Sequence, residues 1–128
     1  LVDEEWVRNN LDNPEVALVD ARTEAEYTGS VAHSAEGGHI PGAVHLNWQG
    51  NLEGDGTFLP LDALRRRFGA QGVLDRATVV TYCQTGVRAA HDYFVLRLLE
   101  HTDVRLYDGS WAEWGNDPQT PKRTGSQQ

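Results

Sequence analysis

Methionine is absent from this chain of 128 residues, and cysteine occurs once, at Cys83. A single thiol excludes an intramolecular disulfide and every zinc site built on several thiolates. Basic residues are scarce: 11 Lys+Arg stand against 19 Asp+Glu, a formal net charge of −8. That balance argues against a nucleic-acid partner, which calls for a basic face. No apolar run approaches the roughly 18 residues of a membrane-spanning helix, so a membrane partner is not expected and a cytoplasmic location is. No internal repeat or low-complexity tract occurs, and the length fits one domain. With Leu1 in first place and no methionine anywhere, the chain is expected to be a processed or truncated piece.

What is present alternates between short β-rich runs and helical patterns. This predicts an α/β fold with a central, mostly parallel sheet of about five strands and helices on both faces. Leu1–Val2 is expected to be the stub of a clipped first strand. Asp3 is placed to cap a helix running to Leu11. VALVD (16–20) is a nearly continuous apolar run, the mark of a strand covered on both faces. Thr23 and Glu26 have capping-box spacing at the start of a short helix, and Ser110 with Glu113 repeats it. Residues 43–46 form a further strand. Leu61, Leu64 and Phe68 recur on a helical stripe. TVVTY (78–82) is the most strand-like run. A helix is predicted from about Arg88 to Glu100, with Tyr93, Phe94, Leu96 and Leu99 as core. Residues 104–107 form another strand. The domain is thus expected over residues 1–115, and the polar segment 116–128 is expected to be partly disordered.

The lone cysteine ends the TVVTY strand. Gln84-Thr85-Gly86-Val87-Arg88 follows, and then the helix. In open α/β sheets ligands bind beyond the carboxyl ends of strands. A strand–loop–helix corner also aims backbone N–H groups and the positive end of the helix dipole into the loop. Such a cradle favours a thiolate. Gly86 lets the backbone curl, and Arg88 can add a full positive charge at the rim. A single cysteine is more often an inert, buried small hydrophobe; the strand end, the glycine and the arginine together favour the reactive reading.

At this point the sequence resembles the rhodanese family of sulfurtransferases. Cys83-Gln84-Thr85-Gly86-Val87-Arg88-Ala89 is similar to the family's active-site loop, with Cys83 in the persulfide-forming position. His39-Ile40-Pro41-Gly42-Ala43 is similar to its HIPGA segment, and Val19-Asp20-Ala21-Arg22 to the VDAR that ends its second strand. Residues 104–114 (VRLYDGSWAEW) resemble the segment closing the catalytic domain of tandem, two-domain thiosulfate sulfurtransferases. The resemblance implies ping-pong transfer of a sulfane sulfur from thiosulfate through a Cys83 persulfide to cyanide or a thiol, with no metal or organic cofactor. It implies that Arg22, Gln84, Thr85, Gly86, Val87 and Arg88 hold the anionic donor. Asp20, Glu26 and His39 are expected to brace the loop, with Glu26 paired to Arg88 or Arg22. It also implies a missing N-terminal rhodanese-like domain, or self-association, at a face left unusually apolar near the site mouth.

The active-site loop departs from the family pattern at three positions. Thr85 is neutral where some thiosulfate-specific loops are basic. Gln84 stands where mercaptopyruvate-specific loops carry Gly, and Arg88 stands where Thr is usual. These make thiosulfate the expected donor and 3-mercaptopyruvate the alternative. Residues 29–38 form an insertion that could shape the mouth. A phosphatase or arsenate reductase is a rival from another class, but those enzymes need Cys-x5-Arg, and Cys83-x4-Arg88 is one residue too short for the oxyanion nest. A non-catalytic interaction module is the other rival, against which the intact loop argues. The five histidines show no metal-ligand spacing, and Arg65-Arg66-Arg67 fits a solvated helix face.

Overall fold

A computed structural model describes residues 1–128. Four parallel strands form one sheet in the order β2-β1-β3-β4. They are β1 (Val16–Asp20), β2 (Val44–His45), β3 (Thr78–Tyr82) and β4 (Val104–Leu106). The central pair keeps full register from Val16 opposite Thr78 to Asp20 opposite Tyr82. Both strands therefore end at the same edge. The helices are α1 (Glu4–Asn9), α2 (Glu24–Thr28), α3 (Leu61–Ala70), α4 (Val87–Leu98) and α5 (Ser110–Trp114).

The period of two along each strand sorts the core into two halves. Ala17, Val19 and Val79 face α3 and α4, where they meet Leu64, Phe68, Val95, Leu96 and Leu99. Leu18, Val80 and Tyr82 face the other way, against Val7 of α1, Tyr27 of α2, and Trp111 and Trp114 of α5. Because both faces are covered, the central strands have no polar alternation to show. Fully burying a Val, Leu or Phe side chain contributes about 1.5–3 kcal/mol, so these two layers supply most of the drive to fold.

The expected caps form at Asp3, whose carboxylate accepts from Trp6 N–H, and at Thr23–Glu26, where the reciprocal box is complete. The four-stranded parallel sheet flanked by helices agrees with the expected fold of about five strands, with Val2 adding a single bridge to Tyr107. Several details are corrected. β2 is two residues long, because beyond Val44–His45 the chain turns into a 3-10 turn at Trp48–Asn51. Helix α4 ends at Leu98, and its Phe94 is half exposed instead of core, since it lies on the outer side of the helix. Ser110 does not cap α5: Glu113 is engaged by the Tyr107 hydroxyl instead, at 2.6 Å.

The segment after Gly115 is not loose. Thr120 is buried and its hydroxyl donates to the Trp114 carbonyl at 2.6 Å. Pro121 accepts from the Trp114 indole at 2.8 Å, His39 and Arg123 exchange two backbone hydrogen bonds, and Gly125 N–H donates to the Thr28 carbonyl. Arg123 passes so close that a Cβ at Gly38 (φ 110°) would collide with its carbonyl oxygen. No helix is long and apolar enough to cross a membrane.

Candidate active site

Strand β3 ends at Tyr82, and the next residue, Cys83, is fully buried. Its backbone is held on both sides by the start of α5. Cys83 N–H donates to Ser110 Oγ at 3.1 Å, and its carbonyl accepts from Trp111 N–H at 2.8 Å. The Gln84 carbonyl accepts from Ala112 N–H, also at 2.8 Å. With these carbonyls turned outward onto α5, the loop closes on the sulfur: Gly86 N–H donates to Cys83 Sγ at 2.9 Å. Gly86 has φ 97°, and a Cβ there would sit 2.8 Å from Asp108 Oδ1, so both backbone and space require glycine. Helix α4 starts immediately after and runs twelve residues. A helix N-terminus carries partial positive charge and unpaired N–H groups.

Ser110 adopts φ 55°, a left-handed conformation that costs a non-glycine residue of order 1 kcal/mol. Its hydroxyl is used twice, accepting from Cys83 N–H and donating to the Tyr107 carbonyl at 2.8 Å. The strain thus sits beside the nucleophile.

Arg88 and Glu26 form a two-pronged pair, Nη1–Oε1 2.8 Å and Nη2–Oε2 2.9 Å. The Arg88 guanidinium, against the opposing effect of burial and with help from Thr23, holds the Glu26 carboxyl down at about 2. Glu26 raises Arg88 in return. Arg22 lies at the same sheet edge but is buried. Its Nε and Nη2 engage both oxygens of Asp20, Nη2 also donates to the Gly38 carbonyl at 2.6 Å, and the guanidinium lies 4.8 Å from the Trp111 ring centre. Arg22 therefore ties β1 to the inserted loop, behind the Cys83 loop. His39 stacks on Tyr27 at 3.7 Å, its ring nitrogens on the Tyr27 and Gln127 carbonyls, and burial pushes it below the usual histidine range.

The fold thus gathers Cys83, Gln84, Thr85, Gly86, Val87, Arg88 and Glu26 in one place, with Asp20 and Arg22 packed behind. It adds residues that sequence reasoning did not select. Ser34, in the inserted loop, accepts from Gln84 Nε2 at 2.9 Å and donates to the Trp111 carbonyl; Gln84 Oε1 is buried with no partner. Trp48 and His91 join Val87 and Arg88 around a depression of about 260 Å³ at the mouth. A larger hollow of about 580 Å³ lies beside Pro41 and Arg123 but contains no nucleophile. Ser110 stood in the quoted DGSWAEW segment, yet its spacing to Glu113 suggested a cap; Ser34 carried no signal beyond the insertion itself.

The rhodanese-like domain model matches residues 3–117. A thiosulfate sulfurtransferase of Corynebacterium glutamicum is 42% identical over 119 residues, covering 86% of this chain and 39% of that protein. A probable 3-mercaptopyruvate sulfurtransferase of Pseudomonas aeruginosa is 41% identical over 98% of this chain and 45% of its own length. The chain therefore spans less than half the length of these relatives. Among solved structures, an anaerobic ergothioneine biosynthesis enzyme from Chlorobium limicola superimposes with a TM-score of 0.88 at 29% identity, over 97% of this chain and 32% of that one. Fold, loop and relatives agree: the chain belongs to the rhodanese-like family.

Proposed function

We propose that the chain transfers sulfane sulfur by double displacement at Cys83. The thiolate attacks the outer sulfur of thiosulfate; the S–S bond of the donor breaks and sulfite leaves with the bonding pair. Cyanide, or a thiolate acceptor, then attacks the outer sulfur of the Cys83 persulfide, and the cysteine thiolate is regenerated. The observation that carries this reading is Gly86 N–H on Cys83 Sγ at the start of α4, with the neighbouring carbonyls turned away onto α5. Backbone donors preset at the reacting sulfur stabilise charge as it moves between sulfurs. Loop residues 84–88 surround the donor; Asp20, Glu26 and His39, joined by Arg22, brace them.

3-Mercaptopyruvate is the second reading, favoured by the fact that both nearby arginines are already paired with carboxylates. The short Cys83-to-Arg88 spacing, with Arg88 turned to Glu26, weighs against phosphoryl chemistry. Beside the mouth Val87 is 77% exposed, and Phe58 and Phe94 are exposed nearby; this supports a second rhodanese-like domain over that face. A free thiol nucleophile fits a reducing compartment such as the cytoplasm.

The test compares thiosulfate and 3-mercaptopyruvate as donors, with mass spectrometry of the intact chain. The expected result is the gain of one sulfur atom on Cys83 and thiocyanate formation with cyanide. Cys83→Ser should abolish both; retained turnover in that variant would reject the nucleophile assignment.

A further inference from the structure

The run Arg65-Arg66-Arg67 does not stay wholly in solvent. Arg65 and Arg66 are exposed, but Arg67 turns back across Gly50, where a Cβ would collide with its guanidinium. Arg67 Nη2 donates to the Asn47 carbonyl at 2.9 Å and Nη1 to Asn51 Oδ1 at 3.2 Å. An arginine can only donate, so the oxygen of the buried Asn51 amide faces Arg67 and its nitrogen faces α4. That nitrogen has two hydrogens and meets two partners, Asp92 Oδ1 at 2.7 Å and His91 Nδ1 at 3.3 Å. His91 Nδ1 must therefore accept, and the ring proton sits on Nε2. Burial pushes His91 below the usual histidine range, which keeps the ring uncharged at neutral pH. Trp48 and Phe58 flank the ring, at 5.2 and 5.0 Å between ring centres. The ring lines the depression at the mouth together with Trp48, Val87 and Arg88. Val87 and Arg88 open α4, and His91 stands one helical turn beyond them on the same face. The bond from Asn51 is the one hydrogen bond the ring makes within the chain, so Nε2–H is left free.

Resting on the sulfur-transfer reading, we infer that His91 binds the incoming thiol and that Asn51 is its positioning residue: Arg67 orients Asn51, Asn51 fixes the His91 tautomer, and His91 Nε2–H holds the oxygen of an uncharged carbonyl group on the thiol. An N–H donor set among Trp48, Phe58 and Val87 suits a neutral oxygen. A carboxylate would lose hydration there without a countercharge, because the neighbouring Arg88 is already taken by both oxygens of Glu26. The thiolate of the bound molecule attacks the outer sulfur of the Cys83 persulfide. The persulfide S–S bond breaks, Cys83 leaves as thiolate, and the attacking molecule departs as its own persulfide. His91 gives up no proton in this step and acts by orienting the attacking sulfur.

The test uses the full chain with Cys83 first loaded from thiosulfate, so that only the second half-reaction is followed. Mercaptoacetamide and its hydrocarbon isostere 2-methyl-1-propanethiol are the probes, and the readout is the thiol concentration at half-maximal rate. His91→Leu should raise that concentration about fivefold for mercaptoacetamide, the worth of one neutral hydrogen bond, and leave it unchanged for the isostere and for cyanide. His91→Gln, which returns an amide N–H near the place of Nε2, should recover most of the loss. Asn51→Ala should move mercaptoacetamide the same way by a smaller factor; should it fail to fold, the two His91 variants carry the test. Imidazole nitrogen NMR of the unaltered chain, with His91 assigned by difference from His91→Gln, should show the Nε2–H tautomer. An Nδ1–H tautomer, or an equal effect of His91→Leu on both thiols, or none on either, overturns the assignment of His91 and Asn51. Absence of a Cys83 persulfide in the unaltered chain, with the Nε2–H tautomer present, overturns the sulfur-transfer reading instead.

Discussion

At the residue scale, Ser110 shows how a strained backbone is put to use. Its hydroxyl bridges Cys83 N–H and the Tyr107 carbonyl while its φ of 55° would suit glycine better. Ser110→Gly loses the bridge but relieves the strain, whereas Ser110→Ala loses the bridge and keeps it. In urea titrations the alanine variant should be less stable than the glycine variant by about 1 kcal/mol. Equal stabilities would show that the left-handed conformation costs nothing here. Glu26 makes a separate prediction. Its carboxyl is depressed to about 2, chiefly by Arg88, so the folded chain sheds a proton the unfolded chain retains near pH 4. The stability it contributes is complete above about pH 4.5 and is lost as pH falls toward 2. Glu26→Gln should flatten that part of an acid-denaturation curve. The Cys83–Arg88 loop was legible in the sequence because it is local along the chain; the pairing of Glu26 with Arg88 or Arg22, distant in sequence, was expected only because strand ends place them at one sheet edge. Ser110 was misread because a tertiary contact claimed the hydroxyl that capping statistics assign to its own helix.

At the element scale, β1 and β3 were readable because burial on both faces leaves an unbroken apolar run. β2 was overestimated: Ala43 is buried outside the ladder, and Leu46 adds only one hydrogen bond, from its N–H to the Asp20 carbonyl, past the last paired residue. Helix α4 carries a less visible feature. Asp92 points inward, accepts from Asn51 Nδ2 at 2.7 Å, and leaves its other oxygen without a partner. Burial, partly offset by Asn51 and Arg67, pushes its carboxyl up to about 7. Here the folded chain keeps a proton that the unfolded chain releases near pH 4. Stability should therefore decline as pH rises from about 4 to 7 and level off above. Asp92→Asn should remove this slope and leave the chain more stable than the original at pH 8, by about 1–3 kcal/mol, the usual cost of a buried group left without a partner. Thermal melts at pH 5 and pH 8 check this, and an unchanged difference between the two would refute it. No periodicity reveals an acid placed on an apolar helix face for this purpose.

For the whole molecule, the segment after Gly115 is the main departure from expectation. Polar composition suggested looseness, but the segment is fixed by backbone bonds to His39 and Thr28 and by the Trp114 indole, none of which leaves a trace in hydrophobic patterning. It also braces the inserted loop, where Lys122 pairs with Glu36 at 2.7 Å. Ending the chain at residue 116 should lower stability by about 2–3 kcal/mol, from several lost hydrogen bonds at about 1 kcal/mol each, and should shift tryptophan emission to the red as Trp114 meets water. Unaltered melting would mean the contacts are incidental.

With no methionine and one cysteine, the buried Cys83 holds the only sulfur atom among these 128 residues. Loading the site therefore doubles the elemental sulfur of the chain. A sulfur-to-nitrogen ratio by elemental analysis, or uptake of isotopically labelled sulfur, counts occupied sites directly with no background from other residues. Every turnover intermediate can thus be quantified as an atomic inventory, without a chromophore, a probe or a coupled assay.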